Sequence, residues 1–340
     1  MTLRSAARVG RWPGQVTRRV RCFARARAVK RKKLQTLRRA LSTSGQRARR
    51  LTIVENATEV LIAKGRDAEG RAIIIKYALS SPADAALRRH AAALQVFAAY
   101  APGVEHLLPS LLHTGTVDHR VLTIETRLKG EPLLSCTDGE RARQTCLDAL
   151  ARFHELGARE LTSDDNDLER WLDEPLSWLR RRDELTGFAA SFSHLRDELA
   201  ARLRRPLIAT RIHGDFAPCN ILIASNHTVS GFVDFECSRA DALPEIDFMH
   251  FALCSVPPAS RNLGELVTTV LSSGDFHPSM HDVGQAAFAA SPNRLDLRTI
   301  VLLAWLIAVA DDLRKWALLP LDWYQANVAD VLTVADETRC

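Results

Sequence analysis

HGDFAPCN, residues His213–Asn220, sets an acid, Asp215, five positions before an amide, Asn220, and runs straight into the apolar segment Ile221–Ile223. A second acidic stretch, VDFE (Val233–Glu236), follows, with Asp234 14 positions past Asn220. The intervening ILIASNHTVSGFV has the pattern of a strand, a polar turn at Ser225–His227 and a returning strand. Such a hairpin brings Asn220 and Asp234 to the same end, with Asp215 at the other end of the short loop.

An acid, an amide and a second acid at this spacing suit one kind of chemistry. Phosphoryl transfer from ATP needs a carboxylate to orient and deprotonate the attacking hydroxyl, a cation on the phosphates, and magnesium to neutralise charge. Magnesium takes hard oxygen ligands, which a carboxylate and an amide carbonyl supply. The spacing H-x-D-x-x-x-x-N is that of a kinase catalytic loop. On this reading Asp215 is the base, and Asn220 and Asp234 are the metal ligands. His213 supports the loop through hydrogen bonds.

Upstream, TEVLIAKG and RAIIIKYA flank the turn RDAEG and read as an antiparallel hairpin. SPADAALRRHAAALQVFAAY then has helical spacing, and HRVLTIETRL reads as another strand. From about residue 135 the pattern is mostly helical until His213, and helical again from about Ala259. GERARQTCLDALARFHELG is an amphipathic helix closed by Gly157. The class is α+β: a strand-rich part over 51–134 and a helical part over 135–340 that carries the loop.

HGDFAPCNIL, VDFE and PEIDFMHF resemble the aminoglycoside phosphotransferase and choline kinase group of small-molecule kinases. Gly214 and Pro218 fit that family's loop, DALARFHELG resembles its helix, and LTIETRLKGEPL resembles its strand, hinge and glycine. The resemblance covers roughly 51–335 and is specific at 213–251. It implies a protein-kinase-like bilobal fold, with a small strand-rich N-lobe and a large helical C-lobe. It implies ATP and Mg2+ as cofactors and a small-molecule hydroxyl as acceptor. It places Lys76, Glu125 and Arg127 at the nucleotide and makes Asp247 a brace for the loop. Two departures stand out. His90 occupies the place of the helix glutamate that pairs with the lysine, and VENATEV has no glycine in the phosphate-covering turn.

Charge is segregated. Residues 1–50 hold 17 Lys/Arg and no Asp or Glu, leaving 29 basic against 40 acidic residues in the rest. Self-repulsion of that kind reads as a basic, disordered tail, with Val16–Leu41 able to form a surface helix. A solvated extension, an anionic membrane surface and nucleic acid all remain open as its use. Its composition also fits an organelle transit peptide. TIVLLAWLIAVA is too short to span a bilayer and reads as a buried helix. The seven cysteines form no CxxC pair, which reads as reduced, mostly buried thiols in a cytoplasmic protein, peripheral to a membrane at most. Cys219 reads as a small packing residue, and the tryptophans of the helical part mainly as core. The rival to a kinase is a non-catalytic pseudokinase or a binding or scaffold protein with a basic membrane- or nucleic-acid-binding tail, motivated by His90 and the glycine-free turn.

Overall fold

The computed structural model describes residues 29–54, 59–100, 103–136, 139–256, 262–316 and 319–339. Two units emerge, one comprising Met1–Asp84 with Leu112–Arg127, the other Ala85–Leu111 with Leu128–Cys340. The glycine-free turn expected at Asn56 and Ala57 lies outside the described residues.

The first unit opens with helix α1 (residues 29–43). Strands β1 (Arg49–Val54), β2 (Val60–Arg66) and β3 (Ala72–Ala78) follow, and β4 (Leu111–Val117) and β5 (Arg120–Thr126) complete its strands; helix α2 (Ser81–Tyr100), between β3 and β4 along the chain, belongs from Ala85 onward to the second unit. The strands form one sheet in the order β1-β2-β3-β5-β4. β2 and β3 are the expected antiparallel hairpin. Alternation along β3 sends Ile73, Ile75 and Tyr77 into the core of this unit and Lys76 to the opposite face.

That core corrects the reading of residues 1–50 as a detached tail. Leu37, Ala40 and Leu41 of α1 are buried against Ile53, Leu61, Ile73, Ile75 and Leu122. Their spacing is the i, i+3, i+4 stripe of an amphipathic helix. Arg38 and Arg39 sit on the exposed side. Composition pointed to disorder, but three apolar positions on one stripe suffice to dock the helix on a sheet. β1 also begins before Leu51, at Arg49. Residues 1–28, the remainder of the basic stretch, lie outside the described residues.

The second unit is mainly helical. Strand β6 (Glu131–Pro132), helix α3 (Gly139–Glu155) and strand β7 (Arg159–Thr162) lead into α4 (Asp165–Leu168), a π-helical turn (Glu169–Asp173) and α5 (Glu174–Arg180). Then come α6 (Ala189–Leu203), β8 (Pro206–Ile212), β9 (Ile221–Ile223), β10 (Val229–Phe232), β11 (Arg239–Ala242) and α7 (Glu245–Cys254). Helices α8 (Leu263–Ser273), α9 (His281–Ala289) and α10 (Leu297–Lys315) follow. β9 and β10 pair antiparallel, Phe232 opposite Ile221, as the hairpin reading expects. β7, β8 and β11 form a second small sheet that periodicity did not reveal. RELT (β7) and PLIATRI (β8) do not alternate apolar and polar residues, so neither shows the strand period.

α10 carries TIVLLAWLIAVA and is buried along nearly its whole length, with Trp305 fully enclosed. No helix among the described residues is long and apolar enough to cross a membrane. The catalytic-loop candidate runs from the end of β8 to the start of β9, above a cluster of aromatic rings. Phe216, Phe232, Phe235 and Phe251 are all fully buried, and the ring of Phe235 lies 4.5 Å from that of His213.

Candidate active site

The loop is held from inside and from behind. Gly214 takes φ 82°, and a Cβ there would run into the carbonyl of Cys237, so no other residue fits. The Asp215 carbonyl accepts the Ala217 N–H at 2.8 Å and the Asn220 Nδ2–H at 2.9 Å. This turns the amide nitrogen of Asn220 inward and leaves Oδ1 with a long contact from the Cys219 thiol, 3.7 Å away. Cys219 itself is exposed, not the packing residue expected.

Asp247, in the first turn of α7, is the brace. Its Oδ1 accepts the Gly214 N–H at 2.8 Å, and its Oδ2 accepts the His213 N–H at 2.7 Å and His154 Nε2–H at 3.0 Å. Burial opposes its charge, but the hydrogen bond and charge of His154, with His213, hold its carboxyl below the usual carboxylate range. His213 donates from Nε2 to the Val233 carbonyl at 3.0 Å and accepts the Asp215 N–H at Nδ1. Burial pushes its pKa down, so the ring stays a neutral strut.

The β9–β10 hairpin brings the two metal-ligand candidates together. The Val233 N–H bonds the Asn220 carbonyl at 2.9 Å, so Asp234 begins one residue beyond the register of Asn220. Asp234 takes φ 73°, a left-handed conformation that costs on the order of 1–3 kcal/mol away from glycine and clusters at functional sites. The residue after it is anchored. The Phe235 N–H donates to Nδ1 of the fully buried His90 at 3.1 Å. His90 thus serves the segment carrying Asp234.

Beside Asp215 a cavity of about 680 Å³ opens wholly within the second unit. Asp215, His250, Asp311, Asp312, Lys315 and Trp323 are among its walls. His250 Nε2 lies 3.1 Å from Asp215 Oδ1. Against burial, the hydrogen bond and charge of His250, then Lys315 and His213, hold the Asp215 carboxyl well below its ordinary value. Lys315 pairs with Glu236 at 2.7 Å, and Asp311 pairs with Arg239 and Arg314, each at 2.8 Å. Burial pushes the Asp312 carboxyl up to about 6, Lys315 and His250 restraining the shift and Asp215 adding to it.

In the first unit, Lys76 Nζ lies 3.4 Å from Glu125 Oε1, both side chains buried. Lys76 pairs with Thr123 across β3 and β5, and Glu125 with Ile74, so the two charges are diagonal neighbours on one face. The carboxylate missing from the helix is therefore supplied by the adjacent strand, and Glu125 turns to the lysine. Arg127 lies exposed just past β5, its N–H bonded to the Ala72 carbonyl at 2.9 Å.

Sequence reasoning missed His250, Asp312 and Lys315. His250 had a signal: it falls three residues after Asp247 on a helix, hence on the same face. The α10 residues had none, because nothing local ties them to the loop.

Among solved structures, a thermostable variant of aminoglycoside phosphotransferase APH(4)-Ia, in ternary complex with ADP and hygromycin B, matches with a TM-score of 0.56 at 14% identity, over 88% of this chain and 95% of that one. Aminoglycoside phosphotransferase APH(3'')-Id from Streptomyces rimosus matches with a TM-score of 0.54 at 16% identity, over 81% and 98%. The aminoglycoside-3'-phosphotransferase of type VIII gives 0.51 at 16% identity, over 83% and 98%. At these identities the likeness shows the fold, a kinase-like α+β architecture. No curated protein sequence matches the chain. The sequence model of the phosphotransferase enzyme family matches residues 59–264, well over half of the chain, and the chain belongs to that family.

Proposed function

We propose that the protein is an ATP- and Mg2+-dependent phosphotransferase that moves the γ-phosphoryl group of ATP to a hydroxyl of a small molecule. The observation that carries this reading is the convergence of Asn220 and Asp234 at one end of a hairpin, with Asp215 across the loop facing a cavity. The solved relatives bind ADP with hygromycin B or streptomycin, which favours a small acceptor over a protein. A cavity of about 680 Å³ suits such a molecule.

The residues fit the metal. Asn220 Oδ1 and the Asp234 carboxylate are hard oxygen donors of the kind magnesium takes. Two protein ligands, completed by phosphate and water, match the habit of magnesium. When bound, it supplies charge neutralisation at the phosphates.

The chain's own part is positioning and proton transfer. Asp215 orients the acceptor hydroxyl and takes its proton as the new oxygen–phosphorus bond forms; the bond to the leaving ADP oxygen breaks, its electron pair departing with ADP. Lys76, held by Glu125, places a cation on the phosphates. Asp247, His213 and His90 keep the loop and the Asp234 segment in place.

Melting temperature with ATP, with and without Mg2+, tests this. Saturation at about 100 times Kd stabilises by about 2.7 kcal/mol. We expect a metal-dependent rise in the parent, a weaker metal response in Asn220→Ala and none in Asp234→Ala. A parent that ignores ATP and Mg2+, or an Asp234→Ala that responds like the parent, overturns the reading.

A further inference from the structure

Asp215 is buried on most of its surface, yet it keeps an edge on the cavity. A carboxylate in that position has a broad, nearly two-fold torsion about its last bond. Either oxygen can turn to the acceptor, and neither is aimed unless something holds the other. Backbone ties fix the loop but not this torsion: Asp215's own N–H and carbonyl are spent on His213, Ala217 and Asn220.

The holder is on α7. Asp247 and His250 are three residues apart on that helix and share a face. The first grips the loop's backbone through Gly214 and His213. The second reaches its side chain, Nε2 to Oδ1 at 3.1 Å. Cys254, one helical turn on, lies 3.5 Å from the same Nε2 and flanks the ring. The imidazole is nearly enclosed, with 14% of its side chain exposed, so its orientation is set by packing as well as by the bond.

On the phosphotransferase reading, we propose that His250 is a positioning residue for the base: its Nε2–H holds Asp215 Oδ1, so that Oδ2 is presented to the acceptor in the cavity. In the step the acceptor's O–H bond breaks, its electron pair goes to the oxygen–phosphorus bond, and the proton goes to Oδ2. His250 keeps its proton throughout and still donates to Oδ1 when Asp215 is protonated. The geometry is independent of which hydroxyl is phosphorylated, so water entering the cavity meets the same oriented oxygen.

The test therefore uses water as acceptor: Mg2+-ATP hydrolysis measured as ADP release, in the parent, His250→Phe and His250→Gln. Phenylalanine keeps the bulk and removes the donor; glutamine returns an N–H at similar reach. Misplacement of a reacting group by about 1 Å costs on the order of 10²-fold, so His250→Phe should lose about 10–100-fold in kcat at little-changed KM for ATP. His250→Gln should recover most of it, which a merely structural ring would not explain. A second arm needs no turnover. A protected imidazole N–H proton resonance, assigned to His250 by its loss in His250→Gln, should be present in the parent and absent from Asp215→Ala. Equal turnover in the parent and His250→Phe overturns the positioning role alone, as does a resonance that persists in Asp215→Ala. A parent that releases no ADP overturns the phosphotransferase reading and the role with it, even if the resonance shows the pair intact.

Discussion

In the first unit Lys76 is held by strand register; in the second, the loop of Asp215 is held by Asp247 and His250, side chains of a helix 32 and 35 residues past Asp215. The Lys76–Glu125 pair is two charges on neighbouring strands, each the other's answer. The loop has no such symmetry. Asp247 answers two backbone N–H groups as well as His154, and the backbone groups cannot be exchanged for apolar ones along with it. A pair can be replaced as a pair, but a carboxylate that caps a backbone cannot.

The largest expected effect separates chemistry from architecture. Asp215→Asn keeps the loop's backbone bonds and removes the proton acceptor. Turnover should fall on the order of 10²–10⁴-fold, with metal-dependent ATP stabilisation intact. Near-parent ADP release by this variant would take Asp215 out of the base role.

The next effect tests the asymmetry itself. Asp247→Ala strips two buried N–H groups and a buried imidazole of their acceptor, and urea unfolding should show a loss of about 3–5 kcal/mol. Lys76→Met with Glu125→Leu removes both members of the other pair and should be close to neutral in stability, within about 1 kcal/mol, while weakening ATP binding. If the double variant is as damaged as Asp247→Ala, the two anchoring modes are not distinct.

Leu37→Ala asks whether α1 belongs to the unit that holds Lys76. Its side chain is fully buried, and truncation should cost about 2–5 kcal/mol by denaturant unfolding. A loss below the error of the measurement would restore the detached tail.

The smallest effect is a pH dependence at the cavity wall. Asp312 carries a folded value raised from 3.8 to about 6, so the stability it contributes is complete below the first value and lost as pH rises through the second. In Asp312→Asn that part of the decline should vanish. Melting temperatures across those two values decide it, and parallel profiles would show that the carboxyl is solvated.

Local information carried much of this. The hairpin of β2 and β3, the helices α2 and α3, and the β9–β10 hairpin were legible because each has a period or a turn of its own. Asp247 was legible as a brace through the resemblance. The basic helix α1 was misjudged because net charge was weighed above the stripe of Leu37, Ala40 and Leu41.

What the sequence determined by itself is the order of chemistry along the chain: an acid, an amide and a second acid on a strand–turn–strand frame, and a lysine on an apolar strand. Those relations are short-range, and hydrogen-bond register enforces them. What only the tertiary structure decided is which distant group answers each of these. Glu125 is on Lys76 because two strands 49 residues apart pair with a two-residue offset. His90 receives the Phe235 N–H from 145 residues away, and His250 holds Asp215 from 35. Buried polar groups must find partners within about 3 Å wherever the chain passes, and only the packed chain says which segments pass there.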